Sequence, residues 1–141
     1  MRALIVLTIC LSMLFYADVS LSESDEICCA WINLKYIQGK IPQKVVFHND
    51  GTYATYGKID SANALSRGTF QVVKKWTDSE GFIWYNIIMN DPRKEKIYKL
   101  ARVSKNGRNL EFVCNKDNYP TAINPDATGY CYYMRASMDY E

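Results

Sequence analysis

Hydrophobic and polar positions alternate most regularly between Gly68 and Met89, GTFQVVKKWTDSEGFIWYNIIM. Phe70 and Val72 alternate with Thr69, Gln71 and Lys75, a period of two that belongs to a half-buried strand rather than to a helical stripe. The run from Phe82 to Met89 is apolar on both faces. Phe82, Trp84 and Ile88 point one way, and Ile83, Tyr85, Ile87 and Met89 the other, so this strand is expected to be buried twice. Between the two runs, Thr77-Asp78-Ser79-Glu80-Gly81 supplies turn chemistry, and the whole stretch reads as a β-hairpin.

The same reading extends outward. Ile27 to Leu34 is a first strand, broken by Gly39 and Pro42, and Lys44 to His48 is a second. Asn49-Asp50-Gly51 turns it into Thr52 to Tyr56, since glycine takes positive φ at little cost and Asn or Asp tolerates it. The polar link Gly57 to Arg67 is expected to be loop. After the central hairpin, Asn90-Asp91-Pro92 turns the chain, Lys96 to Val103 runs back, and Lys105-Asn106-Gly107 reverses it into Asn109 to Cys114. A long irregular piece, Asn115 to Gly129, leads into Tyr130 to Ala136. The run Arg93-Lys94-Glu95-Lys96 reads as a solvated hairpin tip.

No helical period persists anywhere, and eleven tyrosines and three tryptophans favour a pleated surface over a helix bundle. Eight sequential strands joined mostly by hairpins predict an all-β, antiparallel up-and-down barrel, which removes both sheet edges; a two-layer sandwich is the alternative. A barrel of this size has an interior either filled by side chains or able to hold one small ligand.

Composition changes the picture mainly at the N-terminus. Arg2 followed by the apolar run Ala3 to Tyr16 and the small residues Ser20-Leu21-Ser22 has the form of a cleaved secretory signal, and the run is short of the roughly 20 residues a spanning helix needs. Residues 1–22 are therefore expected to be a signal peptide, 23–136 one barrel domain and 137–141 a short tail, in a secreted or extracytoplasmic protein with no transmembrane span in its mature form. A net charge of +2, with Lys and Arg spread along the strands, implies neither nucleic acid nor an acidic substrate.

Of the five cysteines, Cys10 lies in the leader, leaving Cys28, Cys29, Cys114 and Cys131. An even number in an exported chain predicts two disulfides, and no free thiol, among three pairings. Cys114 to Cys131 is the simplest bond, closing the long loop, but it leaves the adjacent pair without partners; cross-pairing of Cys28 and Cys29 with Cys114 and Cys131 is the other arrangement. No metal site is expected, because the one histidine, His48, is not near the cysteines in sequence and zinc would need reduced thiolates. No cofactor motif is present. Catalysis finds little support, since His48 precedes a tight turn and Asp78, Glu80, Asp91 and Asp126 are all turn acids.

Cys29-Ala30-Trp31 near the start of the first strand, the antiparallel meander and Arg135 in the last strand together resemble the lipocalin pattern. In that family a Gly-x-Trp on the first strand packs its indole against an arginine of the final strand, so the resemblance implies that Trp31 and Arg135 close one end of the barrel. An arginine stacked on an indole contributes about 0.5 to 2 kcal/mol. Asp50 to Tyr53, Gly68 to Phe70 and Trp76 to Tyr85 are similar to stretches of small secreted lipocalin-like proteins. The resemblance runs from Cys29 to Arg135 and departs from the pattern at Cys29 and Ala30, which replace the expected glycine context; the few residues after Arg135 imply a barrel without the outer helix common in the family.

The expected function is that of a secreted, non-enzymatic binding protein. A small lipophilic ligand in the barrel is implied by the resemblance and by the aromatic supply. Its candidate lining comes from one alternation class: Phe70, Val72 and Trp84 on the central hairpin, with Tyr98, Leu100 and Phe112 on the next two strands. The alternative is a protein-recognition or inhibitor module using loops or an apolar outer face, suggested by the two-faced apolarity of Phe82 to Met89. An enzyme on the same scaffold is the third class.

Overall fold

Strands form where the alternation and turn chemistry place them. They are β1 (Ala30–Ile32), β2 (Lys44–Phe47), β3 (Thr52–Tyr56), β4 (Ser66–Thr77), β5 (Ile83–Asn90), β6 (Ile97–Val103), β7 (Asn109–Asn115) and β8 (Cys131–Arg135). This computed structural model describes residues 25–33, 42–91 and 96–136. The expected signal peptide, Leu34 at the end of the expected first strand, the break at Gly39, Pro92 with residues 93–95 of the hairpin tip and the tail at 137–141 lie outside the described residues, while Lys96 of that tip is exposed. Each strand is antiparallel to its sequence neighbours, and β1 pairs with β8 to close the barrel. Closure leaves no strand without a neighbour on either side, though the strands differ greatly in length.

Three hairpin turns fix the register at one end. The β2–β3 turn is closed by His48 N–H donating to the Thr52 carbonyl at 2.9 Å, the β4–β5 turn by Asp78 N–H to Phe82 at 3.0 Å, and the β6–β7 turn by Ser104 N–H to Asn109 at 2.9 Å. Gly51, Gly81 and Gly107 take the positive φ that each turn requires. Gly68 serves packing instead, because a Cβ there would run into the Asn90 carbonyl and the Tyr53 ring.

The first strand is shorter than expected. Residues 25–29 fold back across the turn end, with Cys28 N–H bonded to the Asp25 carbonyl at 3.0 Å, and the Trp31 indole N–H donates to the Ile27 carbonyl at 3.0 Å. Ile27 is thereby carried into the barrel as a plug, fully buried. The apolar residue that read as strand is a stopper, and its full burial at the barrel end removes its side chain from water.

Inside, the core runs around the whole wall: Trp31, Val45, Phe47, Tyr53, Phe70, Tyr85, Ile87, Met89, Ala101, Val103, Leu110, Phe112 and Tyr133 pack with Ile27. Phe47 meets Phe70 edge-on at 5.0 Å, and Phe112 stacks on Tyr133 at 5.4 Å. On β5 the inward residues are Tyr85, Ile87 and Met89, so Trp84 and Ile88 face out, where they are only half-buried; the strand is buried on one face, and the expected second burial is partial. Outside, Leu100 and Val113 are register partners and both are buried, and Tyr119 of the β7–β8 loop packs edge-on against Tyr98 at 5.1 Å. The long irregular loop thus covers apolar surface of β6 and β7 that no helix covers.

One irregularity redistributes the faces. The β4–β5 register shifts between Val72 and Lys74, a β-bulge that leaves Val73 without a partner and 51% exposed.

Candidate functional site

The six candidate lining residues do not share a face. Phe70, Val72 and Phe112 belong to the inner wall, whereas Trp84 pairs with Trp76 and Arg102, Tyr98 with Ile88, and Leu100 with Asn86, all on the outside. The bulge is the physical cause on β4, since one extra residue reverses every side chain beyond it: Phe70 and Val72 point in, but Lys74 and Trp76 point out. On β6 the inward set is Ala101 and Val103, so Tyr98 and Leu100, one position out of step, face outside even though Leu100 is buried there, against Val113.

Trp84, expected inside, instead belongs to an outer ladder. Trp76, Trp84, Arg102, Glu111 and Tyr132 are successive cross-strand partners from β4 to β8. The two indoles lie 6.0 Å apart and 8° from parallel. Lys74 covers Trp76 at 5.0 Å, and the Arg102 guanidinium lies 4.6 Å from the Phe82 ring and 5.3 Å from the Trp84 ring. Arg102 donates from Nε and Nη2 to Glu111 Oε1, at 3.0 and 2.9 Å, and Glu111 Oε2 accepts from the Tyr130 hydroxyl at 2.7 Å. Trp84 Nε1 donates to Asp78 Oδ2 at 2.8 Å, and that bond, with those from the Phe82 and Glu80 backbone, holds the Asp78 carboxyl below its usual range. The ladder is aromatic and hydrogen-bonded, and contains no nucleophile paired with a base.

A second polar cluster ties the plug to the inner wall. Tyr85 is fully buried, yet its hydroxyl donates to Asp25 Oδ1 at 2.9 Å and reaches Glu26 Oε2 at 3.3 Å. Burial, then the charges of Asp25 and Glu26, push the phenol pKa far upward, so Tyr85 stays a donor. Lys75, across the strand pair from Tyr85, donates to Glu26 Oε2 at 2.9 Å and sits 3.7 Å from Asp25 Oδ1. The alternation pattern treats Lys75 as a solvent position; its inward placement again follows from the bulge.

Trp31 and Arg135 are direct register partners across the β1–β8 seam. Trp31 is fully buried, while Arg135 is exposed at the rim, with its guanidinium beside Gly107 of the β6–β7 turn. The four cysteines are free thiols, so the expected disulfides are not formed in this structure. Cys28 and Cys29 lie at the plug end and Cys114 and Cys131 at the other. Cys131 stands opposite Phe112, which makes Cys114 its diagonal neighbour. Diagonal Cα atoms are roughly 7 to 8 Å apart, at or beyond the ~7 Å bridging limit. Burial pushes the Cys28, Cys29 and Cys131 thiols up to about 11, so they stay protonated and weakly nucleophilic at neutral pH. His48 is exposed beside the β2–β3 turn. Among the described residues, no three His, Cys, Asp or Glu side chains are grouped to hold a metal ion, and no helix is long and apolar enough to cross a membrane.

Comparison of the chain with protein-family models, with curated proteins and with solved structures gives no match. The barrel and its surfaces therefore carry the functional argument on their own.

Proposed function

We propose that this is a secreted, non-enzymatic binding protein on a lipocalin-like barrel, and that it recognises another protein with the outside of its wall. The observation that carries the reading is the interior. The inner wall is occupied by Trp31, Phe47, Tyr53, Phe70, Tyr85, Phe112 and Tyr133, packed to near-complete burial, which is the filled form of an eight-stranded barrel. The outside of β4 and β5 presents the stacked Trp76 and Trp84 with Arg102 beside Trp84 and an exposed Val73, and aromatic residues and arginine are enriched at protein-contact surfaces. The leader-like segment ending at residue 22 supports the reading of an exported protein.

The carrier reading, a small lipophilic molecule in the barrel, draws on Phe70, Val72 and Phe112 sharing the inner wall, with Val72 only half buried. A panel of fatty acids, retinoids and anilinonaphthalene sulfonate separates the two. External recognition expects no thermal stabilisation and no change in the fluorescence of the buried Trp31. Saturable stabilisation by any of these compounds would hand the function to the carrier reading. Export also favours oxidised cysteines, and Cys114 with Cys131 is the pair that a small movement of the β7–β8 connection would join. Thiol titration of the denatured, unreduced secreted protein with peptide mapping reads this: two or fewer thiols per chain with a linked Cys114–Cys131 peptide pair support the bond, and four thiols, or a different pairing, exclude it.

A further inference from the structure

We propose that the free edge of β4, from Gln71 to Thr77, is a docking site for an extended, acid-bearing segment of another protein, added as a further strand. This rests on the external-recognition reading and names its mode. β4 is a twelve-residue strand, but β3 pairs only with Ser66 to Thr69 of it. The last backbone bond on that side runs from Phe70 N–H to the Gly51 carbonyl at 2.8 Å. Beyond it, β5 holds one edge of β4 as far as Thr77, while the other edge meets no backbone partner among the described residues. That leaves an edge about 23 Å long, at roughly 3.3 Å per residue, whose alternate N–H and C=O groups have no backbone partner among the described residues.

The side chains along this strip select the occupant. A second copy of the chain is disfavoured, because antiparallel self-pairing of 71–77 centres on Lys74 and sets lysine against lysine. The bulge at Val73 adds a local bend that a flat, identical edge does not match. Lys75 turns inward and is already neutralised by Asp25 and Glu26, whereas Lys74 lies outside over Trp76 and makes no ion pair among the described residues. An incoming strand therefore meets one uncompensated cation flanked by exposed Val73 and the Trp76 face. The fitting chemistry is a carboxylate opposite Lys74 with apolar residues to either side, held by main-chain bonds.

The probe is a displayed library of random ten-residue peptides, selected on the full secreted chain and counter-selected on a Val72→Pro variant, which removes an N–H on the same edge that Phe70 N–H faces. A Gln71→Lys, Lys74→Glu variant serves if Val72→Pro does not fold. The expected result is enrichment of alternating apolar sequences with one Glu or Asp. The selected peptide should slow amide exchange within 71–77, bind about tenfold more weakly to Lys74→Glu, and recover when its acid is changed to Lys. Selected peptides that lack an acid, that protect amides elsewhere, or that ignore Lys74→Glu overturn the proposal, and so does a library that yields no binder. The lipophile panel is independent of this outcome: a bound lipophile defeats the external reading itself, whereas a failed selection with no bound lipophile defeats only the β4 edge.

Discussion

Trp84 and Tyr85 are neighbours on β5, and each anchors a different kind of surface. Tyr85 points inward, fully buried, and its one polar atom is satisfied by Asp25, whose side chain is only 6% exposed. Trp84 points outward, half-buried between Trp76 and Arg102, with its N–H satisfied by Asp78. The inner face is a close-packed volume in which each ring is a boundary of the next, so removing one leaves a cavity. The outer face is a row of pairwise contacts in which each member has water as an alternative partner. The inner face should therefore resist substitution strongly and cooperatively, and the outer face weakly and almost additively, which leaves the outer face free to be shaped by a partner.

The contrast is sharpest at the plug. Trp31→Ala should destabilise the protein by about 3 to 5 kcal/mol, because the indole is fully buried and its N–H holds the Ile27 carbonyl. Equilibrium urea unfolding measures this, and a loss under about 1 kcal/mol would mean that the plug contributes little. Tyr85→Phe is subtler, keeping the ring and removing only the hydroxyl. Since it deprives a buried carboxylate of a donor, the expected cost is about 1 to 3 kcal/mol. Equal stability of Tyr85→Phe and wild type would show that Asp25 finds water instead.

Much of this was legible in the chain, and the failures have two physical origins, a bulge and a barrel end. Asn49-Asp50-Gly51 and Lys105-Asn106-Gly107 fix two hairpins outright, and the pairing of Arg102 with Glu111 follows from counting outward from the second turn. The same count from the turn at Asp78 pairs Trp76 with Trp84. What alternation cannot show is a bulge, since Val72-Val73-Lys74-Lys75 reads smoothly whichever residue is extra. That single residue moved Trp76 and Trp84 outside and brought Lys75 in against Asp25 and Glu26. The plug was hidden for a different reason: Ile27 is apolar and adjoins a strand, and only the closed barrel creates an end for it to fill.

On the outer face, Trp84→Ala should cost about 0.5 to 1.5 kcal/mol beyond its lost area, from the indole stack. Paired with Trp76→Ala, it should show coupling of that size in a double-mutant cycle, and additivity would mean that the stack is incidental. A smaller effect is expected for Arg102 and Glu111. Their contact is partly screened, with side chains 27% and 16% exposed, so Arg102→Ala and Glu111→Ala should couple by about 0.5 to 1 kcal/mol, and less in 1 M salt. Salt-independent coupling would point to packing of the arginine stem rather than charge.

The smallest effect sits at the rim, where the two surfaces meet. Burial pushes the Glu26 carboxyl up, but bonds from Lys75, the backbone and Tyr85 outweigh it, and the group ends below its usual value. A carboxyl lowered on folding stabilises the folded state above its unfolded pKa, near 4.3, and that contribution fades as pH falls through the lower folded value. Glu26 is 42% exposed, so solvent screening holds the contribution to a few tenths of a kcal/mol. Glu26→Gln should accordingly be slightly less stable than wild type at pH 6, and the gap should close as the pH is lowered below about 4. Urea midpoints measured from pH 6 to pH 3 decide the matter: if the gap stays constant across that range, Lys75 holds the plug through Asp25 alone, and the rim belongs energetically to the inner face.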